Sequence, residues 1–120
     1  MIPLGDIIDA RLKDVHGRVF HESAGKGATF PYVVYKFPNS TDDFEKEDFI
    51  LEVDVWGVGE NTRDLEELTD DISKALHKYH HYSEGVVQTS VYRINRVAIP
   101  DPDRNIRRRQ LRFVCKTYLL

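Results

Sequence analysis

The spacing of apolar residues predicts two helices in the chain. Apolar side chains recur every three or four residues from 3 to 15, which predicts an amphipathic helix over that segment. A second apolar stripe follows a capping pair, in which Asn61 offers a side-chain oxygen and Asp64 supplies an acid three residues later. The second helix is predicted over 62–79, where acids come early and bases late, as the helix dipole favours.

Alternation of apolar and polar positions predicts strands in the rest of the chain. The clearest case is FILEVDVWG at 49–57, where four apolar residues share one face while Glu52 and Asp54 point to the other. The acidic segment 38–48 and the glycine-containing segment 22–29 are predicted to be loops. The predicted strands are residues 18–21, 30–37, 49–57, 86–99 and 108–120.

These elements predict an α+β fold with the order α-β-β-β-α-β-β. The last two strands form a hairpin, and the two helices pack on one face of a mainly antiparallel sheet. The chain of 120 residues has no internal repeat and no linker, so a single domain over 1–120 is expected. A domain of this size buries enough surface to fold without disulfides or a structural metal.

The composition narrows the functional classes. A net charge of -3 and a pI near 5.9 argue against a protein that coats nucleic acid over its whole surface. Cys115 is the single cysteine, which rules out an internal disulfide and fits a reducing compartment. No apolar run is long enough to cross a membrane, and the N-terminus lacks the pattern of a signal peptide. We therefore expect no membrane association.

The sequence carries no complete set of reactive or metal-binding residues. His77, His80 and His81 could place two imidazoles on one helical face, but zinc needs further ligands at comparable spacing, and the helix dipole also favours histidines there. GKGAT at 25–29 lacks the full phosphate-binding pattern, and Cys115 alternates with apolar neighbours as a small core residue does. We predict no catalytic, cofactor-binding or metal-binding residue, and no enzymatic activity.

Two segments concentrate charge of opposite sign. Five acids opposed by one lysine form the first, which is either a solvated loop or a patch that meets positive charge on another subunit. Five arginines form the second, which is a nucleic-acid-binding site, a charged strand edge or a docking surface. The acids are Asp42, Asp43, Glu45, Glu47 and Asp48, and the arginines are Arg104, Arg107, Arg108, Arg109 and Arg112.

The strand alternation divides the arginines between two settings. Arg108 and Arg112 are predicted to share one face of the last strand, while Leu111 points to the other. Arg104 and Arg107 are predicted to belong to the preceding turn. We interpret both charged segments as a suspected subunit interface, with nucleic-acid contact by residues 104–112 as the alternative.

An ordered series of segments resembles a known family. It consists of FPYVVYKF (30–37), an acidic loop, LEVDVWGVGEN (51–61), the helix TRDLEELTDDISKALHKY (62–79) and a final strand hairpin. This series resembles the tail-completion or tail-terminator proteins of long-tailed bacteriophages and prophages, over about residues 4–119. The residues that match the family pattern are Pro31, Tyr32, Trp56 and Gly57, and they look fold-determining.

The resemblance implies a non-enzymatic assembly protein without a cofactor. It implies a homo-oligomer, typically a hexameric ring, that stops growth of the tail tube and offers a surface to the head connector. The implied partners are the protein itself, the tail-tube protein and the head connector, with contact to passing DNA as a further option. The implied location is the virion tail, reached from the host cytoplasm. A ring needs two different complementary faces on each subunit, which the two charged segments suit in sign.

Overall fold

A computed structural model describes residues 2–120 as two helices on one face of a six-stranded sheet. The strand order is β1-β2-β3-β6-β5-β4, in which only the β1–β2 pair is parallel. The fold is therefore α+β, as predicted. The elements are α1 (Ile2–Val15), β1 (Val19–His21), β2 (Tyr32–Asp43), β3 (Lys46–Val58), α2 (Arg63–Leu76), β4 (Tyr79–Ser83), β5 (Val87–Ile99) and β6 (Ile106–Leu119).

The strand β4 was missed by the sequence prediction, which continued α2 to residue 79. The helix ends at Leu76, because His77 is extended and Lys78 has a positive φ of 63°. The Lys78 amide then donates a hydrogen bond to the carbonyl of Val91 on β5, which starts the β4–β5 pairing. The element order is thus α-β-β-β-α-β-β-β. The apolar spacing predicted a helix as far as Tyr79, but residues 79–83 pair with β5 instead.

The predicted acidic loop at 38–48 is also different in the structure. β2 runs on to Asp43 and β3 begins at Lys46, so most of this segment is paired strand. β2 has an irregularity between Lys36 and Asn39, where Pro38 lacks the backbone donor that a regular ladder requires. Beyond this point the pairing resumes, because β3 is also held on its other side by β6.

The hydrophobic core lies between the helices and one face of the sheet. Alternate residues of β3 and β6 point into it, as the period-2 pattern of 49–57 predicted. Near the end of β3, Gly57 allows a close approach by α2, because a Cβ there would lie 3.3 Å from Leu65 Cδ1. The largest fully buried side chains include Leu4, Ile8, Leu12, Leu51, Ile72, Leu76, Leu111 and Phe113.

We expect the substitution Leu51→Ala to lower the free energy of unfolding by about 2 to 5 kcal/mol, the range for a leucine deleted from a packed core. Leu51 is fully buried at the centre of the sheet. The matched control is Leu119→Ala, because Leu119 is 50% exposed at the end of β6 and its truncation should change stability little. Urea unfolding of the two variants gives the comparison. Equal losses in both would show that β3 is not at the centre of the core.

Candidate interaction surface

The acidic residues lie at the tip of the β2–β3 hairpin. A two-residue turn, Phe44–Glu45, joins the strands, and Asp43 faces Lys46 across it. Lys46 Nζ lies 2.7 Å from Asp43 Oδ2 and 3.0 Å from Asp48 Oδ1. The hydrogen bond from Lys46, together with its positive charge, lowers the pKa of Asp43 from its ordinary value. Two of the five acids therefore share the single lysine of the tip.

The other three acids keep the tip negatively charged. Asp42 is the cross-strand partner of Glu47, and like charges in that arrangement repel each other. Glu47 accepts a hydrogen bond from the Ser40 hydroxyl. In the part of the chain from residue 2 to residue 120, none of Asp42, Glu45 and Glu47 takes part in an ion pair. The tip therefore offers uncompensated negative charge to a partner.

The five arginines are divided between a turn and the two faces of β6. Arg104 lies exposed in the turn before the strand, as predicted, but Arg107 already belongs to β6. Because side chains alternate, Arg107 and Arg109 share the helix-bearing face with Leu111. The other two arginines lie on the opposite face. The block is thus not a single basic surface.

Arg109 is held by an ion-pair network that ties the sheet to α2. Its Nε donates a hydrogen bond to Glu66 Oε1, and Arg96 on β5 binds both Glu66 and Asp70. Burial alone would raise the pKa of Glu66, but the hydrogen bond and charge of Arg109, together with Arg96, outweigh it and lower that pKa. A hydrogen bond from Arg96 likewise lowers the pKa of Asp70. Arg109 therefore serves the subunit itself, a role that the sequence pattern did not reveal.

Arg108 forms an ion pair on the opposite face of the sheet. Its Nε lies 3.1 Å from Asp54 Oδ1 and its Nη2 lies 3.1 Å from Asp54 Oδ2, a two-point contact with a carboxylate that is almost fully buried. The guanidinium also lies 4.8 Å from the centre of the Trp56 ring. This pairing explains how a charged residue in the middle of β3 can be buried.

The remaining arginines are less constrained. Among the residues that the structure describes, neither Arg104 nor Arg107 pairs with a carboxylate, and Arg107 Nε donates only a long 3.4 Å hydrogen bond to the carbonyl of Gly59. Arg112 is the register partner of Glu52, and its Nε is buried without a hydrogen-bond partner. Arg104 and Arg107 are therefore the positive charges best placed to meet a partner.

The acidic tip and the arginine turn lie at opposite ends of the sheet. The β3–β6 ladder runs from Glu47 paired with Thr117, beside the tip, to Val58 paired with Ile106, beside the turn. Eleven residues along a strand correspond to about 36 Å. The molecule is 46 Å long in its longest direction, so the two charged segments lie near its two ends. They cannot contact each other within one subunit.

The histidines lie on β4 and at its start, not on one face of a helix as considered from the sequence. His77 Nδ1 accepts a hydrogen bond from the Arg93 amide, His80 contacts Ser90, and His81 contacts Ser83. Over residues 2–120 no group of three or more His, Cys, Asp or Glu side chains is placed to hold a metal ion. His77 and His80 instead contact residues of β5, whereas His81 contacts a serine of its own strand.

Cys115 occupies the core position predicted for it. Its side chain is fully buried, and burial raises the pKa of the thiol to about 12. A thiol in this state is a poor nucleophile, because the thiolate is the reactive form. Within residues 2–120 no helix is long and apolar enough to cross a membrane.

A protein-family model matches residues 8–118, nearly the whole chain, and its description is "Tail completion protein gp17". The chain belongs to the tail completion protein gp17 family. The family membership confirms the resemblance noted from the sequence and identifies the chain as a structural protein of phage virion assembly. No curated protein matches the chain.

The gp17-family fold of this chain is similar to that of a solved chain from the "Virion of native gene transfer agent (GTA) particle". The TM-score is 0.69 at 17% sequence identity, over 92% of this chain and 86% of the other. At that identity the likeness shows the fold alone.

The residues that matched the family pattern make structural contacts in this gp17-family chain. The Pro31 carbonyl accepts a hydrogen bond from Arg18 Nε at 2.9 Å, which ties the start of β2 to the segment before β1. Tyr32 stacks on Trp56 with ring centres 6.1 Å apart. These contacts hold the β1–β2–β3 edge of the sheet together.

We expect the Glu66 network to contribute stability at neutral pH and to lose it in acid. Because the pKa of Glu66 is lowered on folding, its contribution is complete above its ordinary pKa of 4.5 and fades as the pH falls through the lower value of the folded state. Glu66→Gln should therefore cost stability at pH 7 and progressively less below pH 4.5. The cost should be about 1 kcal/mol or less, because 40% of the Glu66 side chain is exposed and solvent screens the pair.

Urea unfolding of the native protein and of Glu66→Gln across this pH range measures the difference. Glu67→Gln is the matched control, because within residues 2–120 Glu67 pairs only with Arg63 and both side chains are largely exposed. A Glu66→Gln cost that is the same at low and neutral pH would contradict the network.

Proposed function

We propose that the protein is a ring-forming tail-completion protein, or tail terminator, without enzymatic activity. In this role it caps the tail tube and joins it to the head connector, after assembly in the host cytoplasm. Membership in the tail completion family supports the proposal, and so does a fold shared with a chain of a gene transfer agent virion. We further propose that the ring contains six subunits.

The observation that carries the ring proposal is the separation of opposite charges. A closed ring uses a head-to-tail contact, in which two different surfaces of each subunit meet. The uncompensated acids at the hairpin tip and the free arginines beside the β5–β6 turn are two such surfaces, at opposite ends of the sheet. The proposed interface comprises Asp42, Asp43, Glu45, Glu47, Asp48, Arg104, Arg107, Arg108, Arg109 and Arg112.

In the proposed interface these residues have different parts. Arg104 and Arg107 provide positive charge, because neither forms an ion pair with a carboxylate of the described chain. Arg108 and Arg109 shape the surface around them, because Asp54 and Glu66 fix their side chains. Lys46 holds Asp43 and Asp48 at the tip. The remaining acids then supply the net negative charge.

A second candidate function is non-specific contact with nucleic acid at the same arginines. Arg104 and Arg107 border one open cavity together with Arg108 and Arg109, which concentrates positive charge in a small area. The pairing of Arg108 and Arg109 with carboxylates reduces that charge, and the carboxylate of Asp101 also borders the cavity. This candidate is therefore the weaker of the two.

The assembly proposal predicts oligomers whose formation weakens with salt. We expect the association constant to fall as ionic strength rises from about 0.05 M to about 0.5 M, because salt screens exposed charge pairs. Light scattering gives the mass, and electron microscopy tests for rings. Arg104→Glu should weaken association, whereas Arg63→Glu should not, because Arg63 is an exposed arginine of α2 outside the proposed interface. A monomer at every concentration, with and without tail-tube protein, would refute the proposal.

The nucleic-acid candidate makes a different prediction. Binding to duplex DNA should weaken in the double variant Arg104→Ala and Arg107→Ala, and the slope of log affinity against log salt should decrease by about 2, one unit for each lost phosphate contact. Arg63→Ala serves as the control, with an unchanged slope expected. Fluorescence anisotropy with labelled DNA is the measurement. If the native protein does not bind DNA at low salt, this candidate is excluded.

A further inference from the structure

The turn at the acidic tip carries a fully exposed phenylalanine. Phe44 has a relative exposure of 102%, so no other part of the described chain covers it. Its backbone φ is 57°, in the left-handed region that bulky residues rarely adopt and that turns of this kind usually fill with glycine. Neither hydrophobic burial nor turn geometry within the subunit accounts for a phenylalanine at this position.

The surroundings of Phe44 define the chemistry of the surface that could receive it. Asp43 and Glu45 flank it in sequence, and Asp42 and Glu47 form the next cross-strand pair. An apolar ring surrounded by carboxylates suits an apolar hollow with a positively charged rim.

A hollow of this kind lies at the opposite end of the molecule. It is an open cavity of about 450 Å³ between the end of β5, the following turn and the start of β6. Its apolar side is formed by Ala98, Ile99, Pro100 and Ile106. Its polar rim holds Thr62, one carboxylate, Asp101, and four arginines, of which Arg104 and Arg107 form no ion pair in the described chain, so the rim is positive on balance. We call this cavity the arginine socket. Arg108 and Arg109 also line it, and their own ion pairs hold the socket in shape.

The tip and the arginine socket of one subunit cannot meet, because the β3–β6 ladder separates them by about 36 Å. We propose that Phe44 of one copy inserts into the arginine socket of the next copy, with the flanking acids against Arg104 and Arg107. The occupant is a second copy of this chain because both complementary halves, apolar and charged, belong to every subunit. This inference rests on the self-association in the proposed function and names the contact that produces it. Repetition of such a head-to-tail contact gives a ring when the rotation closes.

The first test removes the aromatic ring. Phe44→Ala should weaken self-association on the order of 30-fold, as expected for truncation of an aromatic residue that anchors an interface. It should leave the unfolding transition of the subunit intact, because Phe44 makes no core contact. The matched control is Tyr82→Ala, since Tyr82 is an aromatic residue with 63% exposure on the edge strand β4, which β5 and β6 separate from β3, and it does not line the socket. Its association constant should equal that of the native protein.

The second test traps the contact. A double variant with Phe44→Cys and Ala98→Cys should form disulfide-linked oligomers on mild oxidation, seen as a ladder on a non-reducing gel. The two positions are too far apart to bridge within one subunit, and the native Cys115 is fully buried and cannot compete. Phe44→Cys combined with Tyr82→Cys is the control and should give no ladder.

The outcomes separate this contact from the ring proposal. If Phe44→Ala assembles with native affinity and the cysteine pair gives no ladder, the proposed insertion of Phe44 into the socket is wrong. Rings formed by the native protein would still support the proposed function. If Phe44→Ala assembles normally but no longer binds the tail-tube protein, the tip belongs to that partner and the inference is overturned. If the native protein never associates, both proposals fail.

Discussion

The pairing of β3 with β6 is the interaction on which the rest of the structure depends. The ladder is continuous from Glu47 opposite Thr117 to Val58 opposite Ile106, and its inner face supplies much of the core under the two helices. Both hairpins extend from this pair, one turning at each end. The length of the ladder therefore fixes the distance between the two turns, and with it the separation of the acidic tip from the arginine turn.

The same alternation that builds the core divides the charges. Neighbouring arginines of β6 lie on opposite faces of the sheet. Arg108 therefore pairs with Asp54 on the face away from the helices, while Arg109 pairs with Glu66 on α2. Charges that look like one block in sequence thus serve two separate structural pairings. What remains for a partner is the charge next to the turn, where Asp101 and Asp103 accept hydrogen bonds from turn amides and no ion pair with Arg104 or Arg107 is formed in the described chain.

The sequence predicted the elements whose pattern follows from local physics and missed those that depend on distant partners. The alternation of 49–57 and the apolar stripe of α2 identified the central strand and the main helix, and the α+β class followed. The end of α2 was wrong because the hydrogen bond of Lys78 to Val91 starts β4, and no local signal reports it. The acids at 38–48 were assigned to a loop because polar residues are common in loops, whereas β6 supports their pairing in the structure. The charged segments were found, but their partners across 43 or 54 positions of sequence could not be.

The acidic tip is locally unfavourable, and that fact bears on its role. Asp42 faces Glu47, and Phe44 takes a left-handed conformation that costs on the order of 1 to 3 kcal/mol for a residue other than glycine. Folding alone would favour a shorter hairpin or a glycine turn here. The tip forms because β3 continues along β6 as far as Glu47, so that the central ladder holds the hairpin beyond the core. A partner with a positive, apolar hollow would relieve the carboxylate repulsion and cover the phenylalanine in a single contact, and the far end of the same chain presents that hollow.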